Sequence, residues 1–410
     1  MKILLCTPTF VTGRGGIPSY ARDFVESFKK EHEIVVVTGG KDIDDSPCKL
    51  YYINDIELSF KNAKKLYKII EDEQPEIIIN SAHFLLSIIS PYINNNIKII
   101  SISHFVDGYY AKIAGTKSQY IDNIVALSSF SKSFIEKKYS IKDDNKVVTI
   151  YNFMPVLKEG PNVNKEKNDV INIVYPGGSN YQKSADIFLK AILHLLKKDI
   201  KFNLYWIGNK AMPGSKWNIT IINSLSDILP KDNRIVHLGS VSREEAKNIM
   251  ANANVFVLPS RGEGFPISII EAMRGRCIPV ISDAKHGALD IIENGVNGYV
   301  TKQGDYLDLA KCIENIIINH NSLSGIYDAA YDTYLQNLTT QVWVERMEKI
   351  LLSENNHTPR KIYSENKTKV MMSLLTNKLY LLKFRLKQIF VNNIRTLFTY
   401  YIIAINKKKY

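Results

Sequence analysis

The stretch that most constrains this chain is Val255–Met273. Val255–Leu258 is a short apolar run of strand length. Pro259-Ser-Arg-Gly262-Glu263-Gly264-Phe265 then breaks it, and the apolar block Ile267–Met273 continues as a helix. Pro266 takes the first helical position, where a missing N–H costs nothing. Strand, glycine loop and helix N-terminus together make an anion site: the backbone N–H groups of Gly264 and Phe265 with a positive dipole end behind them. Two carboxylates frame that site. Glu263 lies in the loop, and Glu271 lies about a turn and a half into the helix. Taken alone, Ser268, Glu271 and Gly275 read equally well as the solvated stripe of an amphipathic helix.

The rest of the chain repeats the same alternation, which specifies parallel βα units. Strands are expected at Lys2–Cys6, Ile34–Val37, Ile77–Ile79, Ile97–Ile102, Ile124–Leu127 and Val147–Ile150. A second series follows at Ile171–Tyr175, Phe202–Ile207, Ile235–Leu238, Val255–Leu258 and Pro279–Asp283. Between the series, Lys158 to Asn168 is polar, with Gly160 and Pro161, and reads as an interdomain linker. The expectation is therefore α/β, with two Rossmann-like open parallel-sheet domains at 1–160 and 168–338. A closing helix follows at 339–352 and a basic amphipathic tail at 365–410. With 410 residues and 45% hydrophobics, two packed cores are within reach.

Ligands of open α/β sheets gather at the carboxyl ends of the strands. Gly15 and Gly16 follow the first strand and precede a helix from Pro18, which favours close phosphate approach. They come too late after the strand for a dinucleotide fingerprint. His104 ends the fourth strand and His83 follows the third, so both are crevice candidates, with His83 the weaker. In the second series, Gly208 and Asn209 close one strand and Val241 follows another. Asp42-Ile43-Asp44 has the spacing of a metal-binding Asp-x-Asp, but it sits beside Pro47 in a polar loop, where acidic turns are common, and is not read as a metal site. Four cysteines without paired or metal-like spacing point to free thiols in a reducing compartment.

Two glutamates separated by seven residues, the first before Gly-Phe and the second before Ala-Met, resemble the signature of the retaining glycosyltransferases of family 4. The resemblance extends to Ile292-Glu293-Asn294-Gly295-Val296-Asn297-Gly298-Tyr299 and covers roughly residues 1–352, strongly in the second half. It implies the GT-B architecture, two such domains facing a cleft, and a hexose transferred from a nucleotide sugar with retention. The implied acceptor is a glycan or polyprenyl-diphosphate-linked saccharide, in bacterial surface polysaccharide assembly. On it, Glu271 binds the nucleotide ribose and Glu263 the sugar hydroxyls, while His104 lies near the transferred sugar. Lys183 and the Gly264 and Phe265 amides hold the diphosphate; Gly15 and Gly16 lie beside it; Gly208, Asn209 and Val241 hold the nucleoside. UDP is the nucleotide the family favours over GDP, and no metal or other cofactor is needed. Three positions depart: Phe153 and Ser184 stand where the family has glycine, and Gly178 stands where it has an arginine, for which Arg261, Arg14 or Lys210 could substitute. The last departure keeps open a catalytically silent GT-B scaffold in a glycan-assembly complex. The particular sugar, linkage and oligomeric state are not fixed by any residue pattern.

The tail is read from charge and periodicity alone. Residues 361–410 hold eleven Lys/Arg against the single acid Glu365, so they carry +10 of the chain's +12. Ser353–Ser364 reads as a polar linker. Met371, Leu375, Leu379, Leu382, Leu386, Ile389, Ile394, Leu397, Tyr401 and Ile405 then recur at spacings near three and four, the stripe of a long helix. The expectation is an interfacial anchor on an anionic membrane surface and no nucleic-acid partner. With no signal peptide before the first strand, the expected location is cytoplasmic, peripheral on the inner face of the cell membrane. Truncation after Ser353 is then expected to release the protein and leave nucleotide binding intact. Packing of the helix on the protein's own surface is the competing expectation.

Overall fold

The computed structural model describes residues 1–10, 15–40, 46–54, 57–105, 108–165, 170–178, 182–208, 234–361, 366, 368–379 and 382. The chain forms two units. The first is Met1–Phe153 with Gly264–Pro266 and Thr340–Leu382; the second is Met154–Glu263 with Ile267–Thr339 and Lys383–Tyr410.

The first unit is built on β1 (Lys2–Thr7), β2 (Glu33–Thr38), β3 (Lys49–Tyr52), β4 (Ile77–Ser81), β5 (Lys98–Ser103), β6 (Asn123–Ala126) and β7 (Val147–Thr149). Their order is β3-β2-β1-β4-β5-β6-β7, and every pair is parallel. Helices α1 (Gly16–Phe28), α2 (Phe60–Glu73), α3 (Phe84–Ile89), α4 (Gly108–Gly115) and α5 (Ser129–Tyr139) connect the strands. A parallel sheet has both faces covered, so its strands read as unbroken apolar runs. Ile3, Leu4, Leu5 and Cys6 are all fully buried, in register with Ile34–Val37 on one side and Ile77–Asn80 on the other.

The second unit repeats the pattern with β8 (Ile171–Tyr175), β9 (Phe202–Ile207), β10 (Ile235–Gly239), β11 (Val255–Leu258), β12 (Ile278–Ser282) and β13 (Tyr299–Thr301). The order is β10-β9-β8-β11-β12-β13. Helices α6 (Ala185–Leu196), α7 (Arg243–Asn252), α8 (Ile267–Arg274), α9 (Tyr306–Asn319) and α10 (Ser324–Asn337) complete it. Three of these elements have no counterpart among the expected ones. β3 is a four-residue, half-exposed edge, β13 has three residues, and α10 buries only Tyr327, Ala330 and Tyr334.

The segment expected to be an interdomain linker is partly anchored. Lys165 is 1% exposed, and its Nζ donates to the carbonyls of Ala251, Ala253 and Gly275 at 3.3, 2.6 and 2.5 Å. These carbonyls lie at the carboxyl ends of α7 and α8, where the helix dipole favours a cation.

A second correction concerns Ser353–Ser364. After α11 (Thr340–Leu351), whose Trp343 stacks on Phe153 at 3.9 Å within the first unit, the chain runs as a strap along the same unit. Lys98 donates to the carbonyls of Ile350 and Ser353, each at 2.5 Å. The backbone N–H groups of Thr358 and Lys361 donate to Gln119 and Pro91. Arg360 is the bolt. Its guanidinium donates to the carbonyls of Tyr120, Asn94 and Ile97 and to Asp122 Oδ2 at 2.9 Å, with both charged side chains fully buried. Residues 353–361 are a fixed part of the first unit; 362–365 lie outside the described residues.

Helical residues 368–379, here α12, follow the strap. Val370 and Leu374, neither of them in the expected stripe, enter the same buried core cluster of the first unit as Ile88, Ile89 and Ile113. Met371, Leu375, Leu379 and Leu382, which are in that stripe, are 46–62% exposed. The helix packs on its own protein, but with the other face. Among the described residues no helix is long and apolar enough to cross a membrane.

Candidate active site

In each sheet the strand order turns back at one place, between β1 and β4 in the first and between β8 and β11 in the second. At such a point the loops leaving the two strands diverge and open a crevice. In the second unit those loops are Pro176–Ser184 after β8 and Pro259–Glu263 after β11. They are stitched together. Arg261 N donates to Gln182 O at 2.7 Å, and Gln182 Nε2 donates to Gly262 O at 2.8 Å.

Two ion pairs cross the stitch. Lys183 Nζ lies 2.5 Å from Glu263 Oε1, which also accepts from Ser260 Oγ at 3.1 Å. Arg261 forms a two-pronged pair with Asp186 in the first turn of α6, both contacts 2.9 Å, and reaches Ser184 Oγ at 3.0 Å. Ser282 Oγ, from the end of β12, donates to Ser260 O at 2.6 Å and fixes the start of the loop. Glu263 is 7% exposed. Buried His286 sits in the loop after β12; its Nε2 is 3.0 Å from Ser282 O, and burial holds its pKa below the usual value.

Lys183 and Glu263, which the family pattern assigns to different parts of a donor, hold one another here. Glu271 lies within α8, half-buried. Gly208 ends β9 at φ +113°, and a Cβ there would stand 2.6 Å from Gly178 Cα. Gly178 itself has φ +51°, a region that disfavours side-chain-bearing residues. Val241 lies just beyond β10, partly exposed. Asn209, Lys210, Arg14, Asp42 and Asp44 lie outside the described residues. Among the described residues no group of three or more His, Cys, Asp or Glu side chains could hold a metal ion.

In the first unit, Gly15 caps α1 at φ +93° and Gly16 begins that helix, both exposed. His104 follows β5. Its Nε2 is 2.8 Å from Ser81 Oγ at the end of β4, and its ring meets the edge of Tyr20 at 5.0 Å. Desolvation holds its pKa down to about 3, so it is neutral at physiological pH. His83 serves differently: fully buried, it caps α3 by accepting from Leu86 N through Nδ1. The short piece Gly264–Pro266 groups with this unit. Phe265 stacks on Tyr151 at 5.0 Å, and its carbonyl accepts from Asn152 Nδ2 at 2.7 Å.

The residues that sequence reasoning missed are those that tie the loops: Gln182, Asp186, Ser260 and Ser282. They are short polar residues with no spacing of their own. The sole signal for any of them was their place beside strand ends.

Comparison with known proteins follows this geometry. The family model described as Glycosyltransferase Family 4 matches residues 14–156, and that described as Glycosyl transferases group 1 matches residues 158–333. An uncharacterised glycosyltransferase of Methanocaldococcus jannaschii is 28% identical over 276 residues, 63% of this chain and 70% of that protein. The capsular polysaccharide biosynthesis glycosyltransferase CapH of Staphylococcus aureus is 24% identical over 361 residues, 80% of this chain and 94% of that one. The N,N'-diacetylbacillosaminyl-diphospho-undecaprenol alpha-1,3-N-acetylgalactosaminyltransferase of Campylobacter jejuni is 25% identical over 215 residues, 50% of this chain and 53% of that one. Among solved structures, Anabaena Alr3699/HepE in complex with UDP superimposes with a TM-score of 0.71 at 16% identity, covering 86% of this chain and 99% of that one. The two family models match the two units of this chain in order, and the chain belongs to the GT-B glycosyltransferase superfamily.

Proposed function

We propose that this chain moves a hexose from a nucleotide sugar, a UDP-sugar ahead of a GDP-sugar, to a glycan or polyprenyl-diphosphate-linked acceptor with retention of configuration. The setting is bacterial surface polysaccharide assembly, at the inner face of the cell membrane, with the basic tail holding the protein there. The observation that carries the reading is the Lys183–Glu263 pair at the strand-order reversal of the second unit. A cation and a carboxylate that neutralise each other are poised to exchange partners. Lys183 turns to the donor diphosphate together with the Gly264 and Phe265 amides, where negative charge grows as the sugar leaves. The released Glu263 accepts from sugar hydroxyls, and Glu271 accepts from the ribose. Gly208, Asn209 and Val241 border the nucleoside, Gly15 and Gly16 the phosphates, and neutral His104 offers a hydrogen bond near the sugar. Amides and lysine supply the charge stabilisation, so this reading needs no metal. Support comes from the UDP and UDP-glucose complexes of the HepE neighbour and from the undecaprenol-linked acceptor in the name of the Campylobacter relative.

A second reading has its own observation. Arg261 is already matched by Asp186, and Gly178 has left-handed backbone in place of an arginine. A chain short of diphosphate cations fits a silent scaffold. Isothermal titration against UDP, GDP and ADP, followed by transfer assays with NMR assignment of the product anomer, separates the two. Nucleotide binding with turnover and a retained anomer supports the enzyme; inversion removes the retaining assignment; binding without turnover for any donor supports the scaffold.

A further inference from the structure

We propose that the outward face of α12 is a seat for an anionic lipid bilayer, built into the first unit rather than hung from it. The inference rests on the membrane reading above and deepens it by naming the contact surface. At about 100° per residue, Val370, Leu374 and Asn377 fall on one side of the helix. Val370 and Leu374 are buried in the first unit's core, at 0% and 3% exposure. Met371, Met372, Leu375 and Leu379 fall roughly opposite and are 46, 57, 51 and 62% exposed. Exposed Lys369 and Lys378 flank that apolar arc, one on each side. Apolar side chains in the middle with lysines at the margins fit a helix lying in the headgroup boundary, where lysine stems run along the apolar surface and ammonium groups meet lipid phosphates.

Charge selects the occupant. From Asn366 to Tyr410 the sequence contains no Asp or Glu, while Lys383, Arg385, Lys387 and Arg395 continue the basic run past α12. A second copy of the chain would bring lysine rims against lysine rims. An anionic bilayer offers both the apolar layer and the opposite charge. Core packing fixes the seat to the first unit. Arg360, locked to Asp122, precedes α12 by fewer than ten residues, and Val370 and Leu374 pin the helix itself. The bilayer is therefore met by a fixed surface of the first unit.

The test is flotation of the full-length protein with vesicles of phosphatidylcholine alone and of equal parts phosphatidylcholine and phosphatidylglycerol. The comparison is with Leu375→Glu/Leu379→Glu and with Lys369→Gln/Lys378→Gln. All four side chains are exposed, so thermal unfolding should be unchanged. The wild type should float with the anionic vesicles and stay behind with the neutral ones. The leucine pair should lose roughly tenfold or more of the bound fraction, and the lysine pair should need a higher anionic fraction to bind. Flotation of the leucine pair at the wild-type level would overturn the proposal and leave the later tail residues as the contact. Equal wild-type binding to neutral vesicles would overturn the charge argument. A wild-type dimer lost in the leucine pair, with no flotation, would hand the face to a second copy. Nucleotide titration on the same samples reads the donor site independently, so its failure and the failure of this proposal are distinguishable.

Discussion

Glu263 and Glu271 stand eight positions apart in the chain and differ in what surrounds them. Glu263 is held by Lys183 and Ser260, whereas Glu271 lies half-buried inside α8. Glu271→Ala should weaken nucleotide binding by about 1.5–3 kcal/mol, the loss of hydrogen bonds to a charged group. Glu263→Gln should lower turnover more than nucleotide affinity, because its partner in the proposed site is the sugar. Equal losses in both mutants, read by titration and by transfer rate, would undo this division of roles. Gly208→Ala should destabilise the second unit by about 1–3 kcal/mol: it combines a positive φ with a Cβ pressed against Gly178 backbone. Chemical denaturation checks that figure. At this scale the sequence singled out the two glutamates because they belong to a long, specific string, and Lys183 because it lies in the loop after a strand. It did not reveal Asp186 or Ser260, whose roles arise only when two loops distant in sequence are laid side by side.

The elements tell a similar story. Fully buried parallel strands such as Ile77–Ile79 were legible because apolar runs bounded by loops have few other uses, while β3 and β13 were too short and too exposed to stand out. The strap was misread as a linker because its composition is polar, and polar residues that plug a fold look like polar residues that face water. The structure changes one expectation accordingly. Truncation after Ser353 would remove Arg360 and leave the Asp122 charge buried without its guanidinium partner. Arg360→Ala should cost about 3–5 kcal/mol, the usual penalty for removing one half of a buried pair. Replacing both residues with apolar side chains of similar size should recover much of it. Equal stability of wild type and Arg360→Ala by thermal or urea unfolding would show that the strap is not a structural member.

For the molecule as a whole, acid is the informative stress. His83 is fully buried and held to about pKa 3 by desolvation, against an ordinary value near 6.5. Between those two values the unfolded chain binds a proton that the folded one does not, so stability falls as pH drops through this window. The slope from this residue is about 1.4 kcal/mol per pH unit. His83→Asn retains a side-chain acceptor for the α3 cap and removes the titration. Its unfolding free energy should therefore depend less steeply on pH below about 6.5; an unaltered slope would show that His83 is not the group responsible.

The Arg360–Asp122 pair also sets a timetable. Its two halves are 238 residues apart, with most of the second unit encoded between them. At about 5–20 residues per second, Asp122 leaves the ribosome some 10–50 s before the guanidinium that neutralises it. During synthesis the first unit must wait, the segments that enter β5 and β6 unbuckled, while the stretch that builds the second sheet is still being made. The N-terminal half of this protein is thus the last to be finished. A chaperone that shields nascent chains would be expected to stay on residues 1–153 until the strap has emerged, which ribosome-bound fragments ending before and after Arg360 would reveal by their resistance to protease.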